Sequence, residues 1–268
     1  MAVAAQKVTD DGCCVVMRAD LFLFANGLAP SREAAKKLIL GGCVLLNGKK
    51  LAKPSADIGE DVGAADITVI PLPDMRYVGR GGLKLEAALD AFGVSVCGAK
   101  AIDIGASTGG FTDCLLSRGA VHVTAVDSGH GQLAAKLEAD SRVRSLEGIN
   151  ARYMTADAVG AGYDIAVMDV SFISQTLILP TLPPLLRDGG RLISLIKPQF
   201  EVGRSDVGKG GIVRSESARL RAVRSVIDAA EGVGLHHRGT ITSPITGGDG
   251  NIEYLACFVL SRGEAAGQ

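Results

Sequence analysis

The sequence has no tryptophan, few aromatic residues of any kind (4%) and a net charge of only -1. So small a net charge leaves no overall field to attract a polyanion, and any nucleic-acid surface has to come from local patches. The six cysteines (Cys13, Cys14, Cys43, Cys97, Cys114, Cys257) form no C-x-x-C pair and mostly lie in apolar stretches. That favours buried, reduced thiols in a cytoplasmic protein over a disulfide framework. The four histidines (His122, His130, His236, His237) have no metal-ligand spacing, so no metal is expected. No apolar run approaches the length of a bilayer span, and the amino terminus lacks the apolar core of a signal peptide, so no membrane is expected. Residues 1–16 read as a polar, acid-containing tail, and the pattern that follows makes Met17 a candidate natural start.

What is present is an Ala/Val/Leu/Gly-rich chain of 268 residues, 47% hydrophobic, long enough for one large or two smaller domains. Its most informative stretch starts with a short apolar strand, Ala101-Ile102-Asp103-Ile104. A turn, Gly105-Ala106-Ser107-Thr108-Gly109-Gly110-Phe111, follows and opens a helix. Such an order presents free backbone N–H groups and the positive helix end to a cofactor. No lysine follows the glycines as a P-loop requires, which argues against a nucleoside triphosphate. The Asp-x-Gly-x-x-x-Gly-Gly pattern resembles the S-adenosylmethionine loop of class I methyltransferases. The resemblance implies a cofactor held by Asp103, Gly105, Ser107, Gly109, Gly110 and Phe111, with Asp103 meeting its amino group.

Apolar strands at Ala101–Ile104, Val121–Val126, Val143–Glu147, Tyr163–Met168 and Arg191–Ile196 alternate with expected helices, a long one near Glu216–Glu231. The alternation predicts an α/β domain, its largely parallel sheet covered on both faces. Strands at Gly239–Thr242 and Ile252–Leu260 close it. Ligands of such sheets bind outside the carboxyl ends of the strands. There Asp127 could accept from both ribose hydroxyls or merely cap a strand, and Asn150 could bond adenine or be an ordinary loop residue.

From Arg18 to about Leu72 the chain reads helix, helix, hairpin, strand. Ser31 is placed as the N-cap of a helix over Ser31–Leu40, and Asn47-Gly48 signals a tight hairpin. Arg32, Lys36, Lys37, Lys49, Lys50 and Lys53 cluster with Glu33 as the single acid among them. Such a cluster is a solvated surface or a phosphate-binding one. The run Arg18-Ala19-Asp20…Gly27-Leu28-Ala29-Pro30-Ser31-Arg32…Asn47-Gly48 resembles the S4 RNA-binding domain. Ala19 is a departure, since the family more often has an apolar residue of larger size there. The resemblance implies RNA contacts from Arg18, Ser31, Arg32, Lys36, Lys37, Lys49 and Lys50.

Asp169 and Lys197 each cap an apolar strand at one edge of the sheet, so each is a natural partner for the other. Lys84 starts a helix into the domain, and Glu253 begins the last strand, which reaches the same edge if it runs antiparallel. In this order Lys84, Asp169, Lys197 and Glu253 resemble the catalytic tetrad of FtsJ-like ribose 2′-O-methyltransferases. Each alone would pass for a structural ion pair. Asp169-Val170-Ser171-Phe172-Ile173-Ser174 and Lys197-Pro198-Gln199-Phe200-Glu201 extend the match, and the whole chain resembles the TlyA family. That implies a Rossmann-like class I methyltransferase domain behind a small α+β S4-like domain. The expected division is a tail (1–16), an S4-like domain (17–75), a linker (76–80), an FtsJ-like domain (81–262) and a tail (263–268). It also implies S-adenosylmethionine-dependent 2′-O-methylation of cytidine in ribosomal RNA, on ribosomal subunits, with Lys197 as general base. Desolvation and the neighbouring Lys84 cation would favour the neutral amine that role needs, while Asp169 would work against that shift and orient the amine. The Gly-rich loop Gln199–Val213, with Arg204 and Lys209, is placed to close over RNA. A haemolysin-like membrane-active protein and a non-catalytic assembly factor are the alternatives.

Overall fold

The computed structural model describes residues 16–70 and 76–262. Residues 1–15, 71–75 and 263–268 lie outside the described residues, and with them nearly all of both expected tails, Cys13, Cys14, Pro71 and Pro73. The chain divides into two compact units, Met1–Arg76 and Tyr77–Gln268.

The first unit runs β1 (Met17–Arg18), α1 (Ala19–Ala25), α2 (Arg32–Leu40), β2 (Val44–Leu46), β3 (Lys49–Lys50), β4 (Asp57–Ile58) and β5 (Ile67–Val69). Ser31 Oγ accepts from Ala34 N at 3.1 Å and closes the first turn of α2. Ala35, Leu38 and Ile39 of α2 pack with Leu23 and Val44 in a small core. Asn47 and Gly48 both take positive φ, 47° and 77°, as a two-residue hairpin between β2 and β3 requires. The antiparallel pair β1–β4 is unforeseen, since two-residue strands carry no periodicity to read.

The second unit opens with α3 (Gly81–Ala91), β6 (Lys100–Ile104), α4 (Gly110–Ser117), β7 (His122–Val126), α5 (Ala135–Glu138), β8 (Val143–Leu146) and α6 (Ala156–Val159). It continues through β9 (Tyr163–Met168), β10 (Leu186–Ile196), α7 (Pro198–Glu201), α8 (Glu216–Glu231), β11 (Leu235–Thr242) and β12 (Tyr254–Leu260). The seven-stranded sheet has the order β11-β12-β10-β9-β6-β7-β8. The strands from β10 to β8 are parallel, and β12 runs antiparallel to both its neighbours.

Side chains alternate across this sheet. Odd-numbered Ala101, Ile165, Val167, Ile193, Leu195, Leu255 and Cys257 pack with Leu85 and Leu89 of α3 and Phe111 and Leu115 of α4. Even-numbered Ile102, Ile104, Ala166, Met168, Leu192, Ile196, Ala256 and Phe258 pack with Val226 and Ala230 of α8. With both faces covered, the strands read as continuous apolar runs.

Two strands start earlier than their composition implies. A register shift between Leu186 and Arg191 absorbs Asp188-Gly189-Gly190, and another falls between His237 and Gly239. Glycines that read as strand ends are bulges instead. Between β9 and β10 the expected helix is reduced to 3-10 turns at Gln175–Leu177 and Leu179–Thr181. Pro180, Pro183 and Pro184 remove donors that a helix there would need.

Candidate active site

The turn after β6 is shaped by close approach. Gly105 has φ +82°, and a Cβ on it would lie 2.4 Å from the Asp169 carbonyl oxygen. Only glycine lets the turns after β6 and β9 close on one another. Gly109, at φ +93°, is the N-cap of α4, where a Cβ would meet Leu137 Cδ1 at 2.2 Å. Ser107 N donates to Asp127 Oδ2 at 2.8 Å, and Asp127 Oδ1 accepts from Gly129 N at 2.7 Å.

Asp103 is wholly buried. Its Oδ2 accepts from Thr112 N at 2.9 Å and Thr112 Oγ1 at 2.7 Å, while Oδ1 has no partner. Burial pushes this carboxyl up to about 7 against the Thr112 bonds, with the charges of Asp169 and Asp127 adding to the rise.

Above the turn lies a cleft of two lobes. The larger, about 540 Å³, is lined by Gly105, Ser107, Asp127, Asn150, Asp169 and Phe172 among others. The smaller, about 230 Å³, takes in Gly110, Phe111, Asp169, Ser171, Lys197 and Arg80. Gly105, Ser107, Asp169 and Ser171 belong to both. Asp103 and Gly109 line neither lobe; they shape the loop from beneath. Asn150 Oδ1 accepts from Arg152 N at 3.0 Å, so part of its capacity is spent capping a turn. Three converging carboxylates, one with an unpartnered oxygen, suit a ligand that is cationic where it meets the loop and oppose a polyphosphate.

Alternation also gathers the candidate catalytic groups. Asp169 and Lys197 continue the odd-numbered faces of β9 and β10, Glu253 directly precedes β12 on the same parity, and Lys84 projects from α3, which packs on that face. Because Ile196 pairs with Tyr254, Lys197 and Glu253 are neighbours at the sheet edge. Lys197 Nζ lies 2.6 Å from Asp169 Oδ1 and donates to Ser171 Oγ at 2.8 Å. Asp169 Oδ1 accepts no well-directed hydrogen bond, so its contact with Lys197 is an ion pair. Lys84 Nζ donates to Glu253 Oε2 at 2.5 Å, both groups being buried. A Cβ on Gly81 would sit 3.8 Å from Asp169 Oδ2, which brings the first turn of α3 against the Lys197–Asp169 pair. Tyr77 to Arg80, expected in a linker, lie in this unit. Tyr77 Oη donates to Glu86 at 3.1 Å, and Val78 N to Asp113 at 2.8 Å.

The expected RNA-contacting cations divide into two kinds. Arg18 and Arg32 converge on the buried Asp20 at 3.1 and 3.2 Å, and Lys36 pairs with Glu33 at 3.3 Å. Lys37, Lys49 and Lys50 are exposed and have no acidic partner among the described residues. In the second unit, Arg204 and Lys209 sit on successive 3-10 turns of the 199–213 loop. The buried Asn251 pins the end of that loop through Val213 N and Gly211 O.

Sequence reading missed Arg80, Ser171 and Phe172. Phe172 is 91% exposed, takes φ +64°, and lies 5.1 Å centroid to centroid from Phe200. A bulky side chain in that backbone region is strained. Its place in the Asp169–Ser174 motif was the one available signal. Cys114 and Cys257 are buried as expected, but Cys43 is half-buried and Cys97 exposed. No group of metal ligands occurs among the described residues.

The FtsJ-like methyltransferase family matches residues 77–260, and the S4 domain matches residues 17–61. Over 238 residues the chain is 43% identical to the 16S/23S rRNA (cytidine-2′-O)-methyltransferase TlyA of Mycobacterium tuberculosis, covering 89% of this chain and 88% of that protein. It is 42% identical over 245 residues to hemolysin A of Brachyspira hyodysenteriae, covering 91% of this chain and 100% of that one. A solved structure from Streptococcus thermophilus, 43% identical, superposes with a TM-score of 0.69 over 92% of this chain and 89% of its own.

Proposed function

The chain belongs to the FtsJ-like methyltransferase family, and from that membership we propose that it methylates the ribose 2′-hydroxyl of cytidine in ribosomal RNA, using S-adenosylmethionine. The observation that carries this reading is the Lys197–Asp169 pair at the mouth of an acid-rich cleft, with Lys84–Glu253 alongside. When bound, the cofactor supplies a methyl group already activated on a sulfonium. The protein's task is to hold the reactants, align the hydroxyl and take its proton. Lys197 is the group placed to accept that proton. Asp169 and Ser171 fix its direction, and Asp169 stabilises the ammonium that results. Glu253 pairs with Lys84, and their mutual attraction offsets the desolvation of a second cation in the buried wall.

Asp127 serves the cofactor's ribose and Asn150 its adenine, while Asp103, buried beneath the loop with Oδ1 unpartnered, faces the cofactor's ammonium from behind the turn. Phe172 offers an exposed ring at the cleft mouth, the kind of face on which a target base stacks when it leaves its helix. Lys37, Lys49 and Lys50 of the first unit, with Arg204 and Lys209 of the second, supply phosphate contacts. Such a substrate places the enzyme in the cytoplasm. The name of the M. tuberculosis relative supports ribosomal RNA and cytidine. The name of the Brachyspira relative raises a membrane-active reading, yet no described helix is long and apolar enough to cross a membrane.

The test incubates the protein with labelled S-adenosylmethionine and isolated large or small ribosomal subunits, mapping the product nucleotide by mass spectrometry. The expected product is 2′-O-methylcytidine, and Lys197→Ala should lower the rate by about a thousandfold or more. A base-methylated product, or full activity in Lys197→Ala, would refute the mechanism.

A further inference from the structure

On the opposite face of the sheet from the catalytic candidates, a second set of polar groups joins the same two chain segments. Ser194, on the even-numbered face of β10, and Gln175 are both buried. Ser194 Oγ donates to Gln175 Oε1 at 2.5 Å, and Gln175 Nε2 donates to the Leu195 carbonyl at 2.7 Å. The β9–β10 ladder ends at Met168 opposite Ser194. The Gln175 amide thus satisfies a β10 carbonyl one step beyond the point where β9 departs. Glu201, at the end of α7, completes the set: Oε1 accepts from Gln175 N at 2.9 Å, and Oε2 from Ser174 Oγ at 2.6 Å.

This arrangement has a geometric consequence. The segment Asp169–Gln175 and the segment Lys197–Glu201 leave neighbouring strands at the sheet edge. They are joined near the strands by Lys197 with Asp169 and Ser171, midway by the Phe172–Phe200 contact, and at the far end by Glu201. An apolar pair could cover the same space without the cost of burying a carboxylate. A carboxylate adds two directed acceptors, spaced to hold donors on adjacent residues. Glu201, Ser174 and Gln175 line neither lobe of the cleft, so none is placed to touch the cofactor.

We propose that Glu201 is a positioning residue for methyl transfer: by fixing Ser174 and Gln175 to α7, it holds Asp169 and Ser171 in register with Lys197. It therefore sets the turnover rate and leaves cofactor affinity alone. The inference rests on Lys197 as the base. Misplacing a reacting group by about 1 Å can cost roughly a hundredfold in rate. A direct ligand of the cofactor would lose binding instead.

The full-length protein is assayed on ribosomal subunits with labelled S-adenosylmethionine, while cofactor affinity is measured by calorimetry and folding by thermal melting. Glu201→Ala should lower kcat roughly 10- to 100-fold with cofactor Kd within about twofold. Glu201→Gln, which keeps an acceptor for Gln175 N, should recover much of that loss. Ser174→Ala, which removes the bond to Glu201 together with the Ser174 cap on Thr176, serves if Glu201→Ala does not fold, and should lower kcat severalfold with a melting temperature near the parental one. Parental kcat in Glu201→Ala, or in Ser174→Ala where Glu201→Ala does not fold, or losses of kcat matched by equal losses of cofactor binding, would overturn the proposal. The Lys197→Ala control separates the two readings. Activity there defeats the base assignment, whereas inactivity there with parental kcat in the Glu201 and Ser174 variants defeats only the positioning role.

Discussion

Asp20 in the first unit and Asp103 in the second are both fully buried carboxylates near the start of a helix, yet their surroundings are opposite. Burial would push Asp20 up, but hydrogen bonds from Arg18 and Arg32 outweigh it and hold that carboxyl below its usual range. Asp103 has Thr112 on one oxygen, nothing on the other, and two carboxylates for neighbours, so burial lifts it to about 7. A buried charge whose partners are complete serves the fold. One left half-satisfied costs stability and persists where something else completes it. The first unit has spent two of its arginines on its own architecture, while the second keeps an acceptor in reserve beneath the Gly105–Gly110 turn.

The most damaging way to break the comparison is to remove the satisfied acid. Asp20→Ala leaves Arg18 and Arg32 without their shared partner and opens the junction of β1 and α1. We expect a loss of roughly 2 kcal/mol, since the arginines are half-exposed and recover some hydration. Urea unfolding of the full chain, followed by a probe in the first unit, should show its midpoint falling while the second unit is unmoved. An unchanged midpoint would mean the two arginines do not depend on Asp20.

Asp103→Asn tests the other side, and here the sign is informative. A raised folded-state pKa means that, between pH 4 and 7, the unfolded chain has already lost the proton the folded chain keeps. Asp103 therefore makes stability fall as pH rises through that window. Asp20, depressed in the fold, acts the other way: its contribution is present above the unfolded value and lost as pH falls through the folded one. Relative to the parent, Asp103→Asn should gain more than ~1 kcal/mol between pH 5 and pH 8, while binding S-adenosylmethionine about tenfold more weakly. Equal pH slopes in parent and variant would show that Asp103 is not the group that titrates.

Much of this contrast was legible in the chain, and the rest was hidden for definable reasons. The Gly105–Gly110 turn and the strand-end positions of Asp169 and Lys197 follow from pattern, and counting by twos from Leu195 and Leu255 puts Lys197 and Glu253 on one face. The bulges at Gly189-Gly190 and Gly239 were not legible, because a glycine that interrupts a strand and one that bends it read alike. Ser171 and Phe172 could be read as members of a motif, but the positive φ and exposure of Phe172 depend on how the turn after β9 is closed by distant groups. The basic cluster of the first unit was visible as charge. Its composition could not reveal that Asp20, two residues after Arg18 and twelve before Arg32, captures both arginines.

That capture makes the smallest predicted effect the sharpest test of the comparison. If Arg32 is committed to Asp20 while Lys49 and Lys50 are not, the two kinds of cation should separate in solution. Each unpaired lysine that neutralises an RNA phosphate releases a counterion, so Lys49→Gln with Lys50→Gln should reduce the slope of log affinity against log salt by about 1 per residue, at parental stability. Arg32→Gln should instead lower the unfolding midpoint and move the salt slope less, because its guanidinium is already partly neutralised by the acid it binds. Filter binding to ribosomal RNA between low and moderate salt, beside unfolding curves for the same variants, resolves the two. A salt slope lowered equally by Arg32→Gln and by a single lysine change would mean Arg32 is shared between Asp20 and RNA. The division between structural and available charge would then fail in the first unit and stand only in the second, on Asp103.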